Sequence, residues 1–172
     1  MAIGLLTLAA LGTLGLLATV LLGYLVPGAA ATLKTHFMAA LLSTTLLVMA
    51  HSFIMFFLIA TGAEMKALEK ASGRGDSFRR RTIALKSRIF PLLTGALLLV
   101  IVNFILGAAV HTRALPGWVH EGTAWLTLVT SVTAFARAWR VLGDNNRLIA
   151  ETVTFKEDTR RPERLPDSPT SR

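Results

Sequence analysis

The sequence predicts an all-α fold: an integral membrane, up-down four-helix bundle with helical extensions on its cytoplasmic side. Three observations carry that expectation. Hydrophobic residues make up 53% of the 172-residue chain, and they fall in blocks. Four of these blocks, at about 3–25, 36–61, 89–110 and 119–139, are nearly free of charge. A bilayer core about 30 Å thick takes ~20 helical residues at 1.5 Å each, so each block is long enough to cross. A soluble chain with this pattern would have almost nothing left to face water.

The third observation is where the charge lies. Of the 18 Lys and Arg, eight fall between positions 66 and 88 and eight from 137 onward, leaving only Lys34 and Arg113 for the other two connections. Cytoplasmic segments beside membrane helices collect Lys and Arg, and that bias sets orientation. Both termini and the long second connection are therefore expected in the cytoplasm, with the inner membrane of a bacterium as the expected location. In a soluble protein a net charge of +8 would point to nucleic acid. Here the basic residues flank the spans, so anionic lipids are the expected partners and nucleic acid is not. The chain has no cysteine, which excludes disulfides, thiolate metal sites and iron–sulfur clusters.

The first span carries Gly4, Gly12, Gly15 and Gly23, with Thr19 completing much of a small-residue stripe. Such a stripe lets a neighbouring backbone approach closely and reads as a packing face. Pro27 and Gly28 are expected to end this helix. The small residues at 27–31 resemble a signal-peptide cleavage site, but no Lys or Arg precedes the run and the run is longer than a signal peptide needs. The helix is read as retained.

The second span begins near His36. Its continuation at 63–71 is built from strong helix formers, with Lys66 and Glu69 placed to pair. Residues 72–76 read as a turn, and their Arg-Gly-Asp triplet, on the cytoplasmic side, is not an adhesion motif. Ser77 is a candidate cap for the third helix, and Pro91 is expected to bend that helix at the inner interface. The fourth span is the least hydrophobic, holding Thr123, Thr127, Thr130, Ser131 and Thr133. Trp118 and Trp139 are 21 residues apart, roughly 31 Å of helix, which matches two interfacial belts. The expected organisation is a transmembrane domain over 1–158 and a disordered cytoplasmic tail over 159–172, rich in Pro, Arg and Ser.

Ionisable side chains in or beside a span are costly and frequently functional. The predicted topology gathers His36, His111 and His120, with Glu121, at the outer face from three helices. Imidazole ligates haem and metal ions. His36 facing His111 or His120 meets the depth requirement of a b-type haem. Asn103, Gly107 and His111 share a face of the third helix, where a glycine leaves room for a flat ring. A quinol headgroup fits the same features, with Glu121 as proton acceptor. Three imidazoles are also a possible metal set. His51 lies 15 residues after His36, roughly 22 Å deeper, and a polar cluster with Asn103 and residues 127–131 is expected around it. The spacing of His36 and His51 resembles the two-histidine helices of di-haem cytochromes b. That resemblance lacks a second histidine at the depth of His51, where Met49, Met55 or a neighbouring subunit would have to serve. The run 53–57, Phe-Ile-Met-Phe-Phe, reads as packing surface.

The function expected from these residues is a membrane subunit of an electron-transfer complex, binding b-type haem or quinol through the histidine cluster. The alternatives are an accessory or scaffolding subunit that docks through the glycine face, and a small metal or ion carrier. No intramembrane carboxylate and no inverted repeat supports transport. Nothing resembles a phosphate-binding loop, a dinucleotide fingerprint or a zinc-protease helix.

Overall fold

A computed structural model describes residues 1–25, 30–72 and 76–160. These form four helices: α1 (Ala2–Gly23), α2 (Ala30–Ser72), α3 (Asp76–His111) and α4 (Gly117–Arg160). Three of them, α1 to α3, are long and apolar enough to cross a membrane. α4 falls short of that measure because its expected span holds Thr and Ser at five positions together with His120, Glu121 and Arg137.

The helices form a ring. α1 packs on α2 and α4, α3 packs on α2 and α4, and α2 meets α4 across the diagonal. Directions alternate along the chain. Gly23 of α1 lies beside His36 of α2 while Gly12 lies beside Leu47, so these helices run antiparallel. On the other side Asn103 bonds Thr123, and the Leu99 carbonyl accepts from Thr127. α2 and α4 run the same way and in register, because His36 faces His120 and Thr61 faces Asn145, the same separation of 25 residues on both helices. One end of the bundle thus carries histidines and the other carries arginines.

The glycine stripe of α1 is used within the chain. A Cβ at Gly12 would stand 2.9 Å from the Leu47 Cγ and 3.1 Å from the Leu47 backbone nitrogen, and one at Gly15 would stand 3.1 Å from the Ser43 Cβ. Only glycine lets α1 and α2 come this close. Gly12 and Gly15 thus face α2, while Gly4 of the same stripe is exposed with nothing within 4 Å of the position a Cβ would take. Thr19 and Ser43 add a buried hydroxyl contact of 3.3 Å across the same seam.

Each longer helix differs from its expected bounds. α2 begins at Ala30 and runs unbroken to Ser72. α3 begins at Asp76 and includes Ser77, so Ser77 is inside the helix and not its cap. Pro91 sits within α3, which continues through it. α4 passes Gly143 and reaches Arg160. The extensions beyond the apolar spans remain packed: Met65, Leu68 and Leu148 are buried, and the Phe78 and Phe155 rings meet edge to face at 5.7 Å. Glu69 pairs with Arg79 of α3 at 3.6 Å. Arg81 of α3 and Glu151 of α4 form a two-pronged ion pair. The expected stop at Pro27 and Gly28, the candidate cleavage site, the Arg-Gly-Asp triplet and most of the C-terminal tail lie outside the described residues.

A five-residue connection turns α3 into α4. Arg113 takes φ 61°, and the Ala114 amide donates back to the Ala109 carbonyl at 2.8 Å. This is the left-handed stop that normally falls to glycine. Pro116 then precedes α4.

Apolar side chains both form the core and cover the exterior. Large apolar residues on all four helices are exposed, among them Leu14, Phe53, Phe56, Ile105 and Val129. Polar residues turn inward: Ser43, His51, Thr127, Ser131 and Asn145 are each at most 2% exposed. α4 shows the pattern most clearly, with Leu126, Val129 and Val132 outside and Thr127 and Ser131 within.

Candidate functional site

At the histidine end, α2 and α4 bring His36 and His120 together across the bundle. Their ring centres are 6.4 Å apart and their planes nearly perpendicular, at 87°. Both rings are oriented by the backbone of other helices. The Nδ1 of His36 bonds the Thr19 carbonyl of α1 at 3.0 Å. A carbonyl oxygen has two lone pairs, so it can serve its own helix and this ring together. His120 hydrogen-bonds the Asn103 backbone of α3, and its Nδ1 is buried with no hydrogen-bond partner. Each imidazole therefore has one nitrogen fixed by the fold and one still available. This is the arrangement in which a carbonyl behind the ring sets the tautomer and orients a ligating histidine.

One glycine makes room for this approach. A Cβ at Gly107 would stand 3.1 Å from the His120 Cε1, whereas one at Gly23 would meet the His36 Cε1 at an ordinary contact distance of 3.4 Å. The expectation that Gly107 leaves room for a flat cofactor ring is corrected here. The space beside it is filled by the His120 imidazole, so its role is to let that side chain lie against α3.

Asn103 also departs from expectation. Its side-chain oxygen accepts from the Thr123 hydroxyl at 3.0 Å, one turn below His120. It supports the histidine pair and does not stand at the depth of His51. Depth counted along each helix from one surface ignores the stagger between helices, which the α2–α4 register reveals.

His111 ends α3 and is exposed. It shares the histidine end without meeting the other two rings. Among the described residues, no group of three His, Asp or Glu side chains is placed to hold a metal ion. A set made of His36, His111 and His120 does not assemble.

Glu121 belongs to a separate surface chain between α1 and α4. The Trp125 indole donates to the Tyr24 hydroxyl at 2.9 Å, and that hydroxyl donates to the Glu121 carboxylate at 2.6 Å. Sequence reasoning missed Tyr24 and Trp125. The signal was present: Tyr24 is the only tyrosine in the chain and closes the first span, at the level where aromatic residues with a polar tip gather.

Further in, His51 is 2% exposed and its Nδ1 has no hydrogen-bond partner. Ser131 Oγ is likewise buried and unpartnered, and the α2–α4 register puts it about one turn from the level of His51. Met49 is exposed, and Met55 accepts a long contact from Thr94 of α3 at 3.9 Å. Neither methionine is shown opposite His51. Toward the arginine end, Asn145 donates to the Thr61 hydroxyl at 3.2 Å, joining α2 to α4 within the core.

No protein-family model, curated protein or solved structure matches this chain. The residues and their geometry alone bear on function.

Proposed function

We propose that this chain is an integral membrane subunit of an electron-transfer complex, with the His36–His120 pair as the two ligands of a b-type haem near the outer face. Membrane placement is supported by the exterior of the bundle. Large apolar side chains are exposed on all four helices, while Ser43, His51, Thr127, Ser131 and Asn145 are buried among the apolar residues of the core, and a soluble bundle would turn polar residues outward. This argues that α4 crosses along with the three more apolar helices, since Thr127 and Ser131 face the interior and Leu126, Val129 and Val132 face outward. The split of basic residues then puts the arginine end in the cytoplasm and the histidine end outside.

One observation carries the haem reading: two imidazoles from opposite helices, each held by a backbone group, have ring centres 6.4 Å apart, and the His120 Nδ1 has no hydrogen-bond partner. His36 and His120 would hold the haem between α2 and α4, and it would supply one-electron chemistry between ferric and ferrous iron. Thr19 and Asn103 orient the ligands, and the Thr123 hydroxyl steadies Asn103. Glu121, at the rim, is the proton acceptor for a quinol docking between α1 and α4, where Tyr24 and Trp125 hold its carboxylate.

The test is the visible spectrum of the detergent-purified protein, expressed with ample haem. The expected result is a reduced-minus-oxidised band of a six-coordinate b-type centre, lost in His36→Ala and in His120→Ala but kept in His111→Ala. A colourless wild-type protein overturns the haem reading. Co-purification with a larger complex, with both alanine variants fully active, favours an accessory subunit without chemistry of its own.

A further inference from the structure

At the arginine end, α3 and α4 part to leave a cleft of about 350 Å³. Its charged lining comes from Arg81 and Arg88 on α3 and from Asp144, Arg147 and Glu151 on α4, with buried Leu85 and Leu148 behind them. Arg81 and Glu151 engage each other. Their two-pronged pair holds the Glu151 carboxyl below its usual range, and the same hydrogen bond holds Arg81 above its own. That leaves Arg88, Arg147 and Asp144. Neither Arg88 nor Arg147 has an ion pair or side-chain hydrogen bond among the described residues. The three charges sum to one positive charge in a cleft with apolar residues at its back.

The position of Arg88 narrows the choice of ligand. It directly precedes Ile89, which is fully buried and opens the apolar run of α3. In a membrane this is headgroup depth on the cytoplasmic side. The charge calls for a singly negative group, which a phosphodiester provides and a dianionic phosphate monoester does not. Guanidinium groups bind phosphate oxygens by paired N–H donors. The size agrees as well: water occupies ≈ 30 Å³ in the liquid, so the cleft takes on the order of ten water-sized groups, about the bulk of a phosphoglycerol head.

We infer that this cleft binds the phosphodiester of an anionic phospholipid headgroup, held by Arg88 and Arg147 between α3 and α4. The site is local and built by two helices, unlike a general attraction of basic segments to the membrane surface. It rests on the membrane placement proposed above but not on the haem, and alkaline extraction of membranes reads that placement separately.

The experiment uses the full-length chain, purified in detergent and stripped of lipid. Phosphatidylglycerol or phosphatidylcholine is added back, and bound lipid is counted by native mass spectrometry. Wild type retains phosphatidylglycerol and releases phosphatidylcholine. Arg88→Ala/Arg147→Ala loses that retention by roughly tenfold or more, as expected for removing two contacts to an anionic headgroup. Arg137→Ala/Arg140→Ala, which removes the same charge from elsewhere on α4, retains it. The charge-preserving Arg88→Lys/Arg147→Lys binds in between, and its circular dichroism shows that the helices persist. Equal retention of the two lipids, or equal losses in the two alanine pairs, overturns the site. Release of the lipid by millimolar inorganic phosphate overturns the headgroup as its ligand.

Discussion

Gly107 separates the fold from the site. Replacing it with alanine in mid-helix adds up to about 1 kcal/mol of helix stability. The new Cβ would stand 3.1 Å from the His120 Cε1 and 3.4 Å from its Nε2. Ordinary carbon contacts are ≈ 3.5–4.0 Å, so the ring must retreat by a few tenths of an ångström. An imidazole at the bundle's end makes that shift at a cost of a few tenths of a kcal/mol, and the two effects nearly cancel. Gly107→Ala is therefore expected to melt within about 1 kcal/mol of wild type. Metal-site geometry is less tolerant, since a ligand set has to be held within ≈ 0.5 Å and a shift of a few tenths takes up much of that margin. Haem affinity should fall on the order of tenfold, within the range seen when the surroundings of a ligating histidine are disturbed. Gly95 on the same helix has nothing within 4 Å of the position a methyl group would take, so Gly95→Ala gains the helix term and leaves haem affinity alone. The assay is haem titration followed by absorbance, beside thermal melts in the same detergent. Wild-type haem affinity in Gly107→Ala, while His120→Ala binds none, would refute the reasoning. So would Gly107→Ala being stabilised as much as Gly95→Ala, since the close approach would then be absent.

Arg113→Gly should raise stability by about 1 kcal/mol, because it relieves a left-handed φ of 61° that costs a side-chain-bearing residue roughly that much; a melt shifted downward argues against it. Asn145→Ala removes the bond to Thr61 in the core and should cost about 1–3 kcal/mol, measured by denaturant titration in detergent, with no change in any haem spectrum. His51→Leu trades a buried, unpartnered ring nitrogen for apolar atoms of similar bulk and should be neutral or stabilising; a loss of stability means that His51 has a partner. The Glu151 carboxyl is held below its usual range by Arg81. A depressed carboxyl stabilises the fold above its unfolded pKa and loses that contribution as pH falls through the folded value. Acidification below the usual carboxylate range should therefore loosen the end of α4 in wild type, read as protease cleavage near Glu151, while Glu151→Gln shows no such step.

The helices and their order are legible in the sequence because apolar blocks of span length leave few other folds. The glycine stripe of α1 is legible as a packing face, but not its partner, since a stripe records close approach without saying to what. The same limit governs the site. Four histidines are visible, and the topology sends three of them to one end of the bundle. That His36 meets His120 and leaves His111 aside depends on the diagonal contact of α2 and α4, which no spacing within a single helix encodes. Asn103 is matched to the wrong neighbour by depth counting for the same reason. The Tyr24–Glu121 bond joins residues 97 apart in sequence, and only the closing of the ring between α1 and α4 brings them together.

α4 explains why the weakest span is the informative one. A helix that met lipid on every side would have no use for Thr123, Thr127 and Ser131. They lie on the face that looks into the bundle, where Thr123 holds Asn103 and Thr127 bonds the Leu99 and Thr123 carbonyls. The Thr123 and Thr127 contacts fix α4 against α3 in both height and rotation, because an unmade bond is costly in an apolar interior, while the Ser131 hydroxyl is buried without a partner. Fixing α4 fixes His120 relative to the Asn103 backbone, and so relative to His36 on the far side. The loss of apolarity that makes α4 a poor span by composition is thus the same feature that positions the second imidazole. Thr123→Val tests the link: it should leave the helices intact, free Asn103, and weaken haem binding without touching a ligand. Unchanged affinity in that variant would mean that the histidine pair is positioned by something other than the α3–α4 seam.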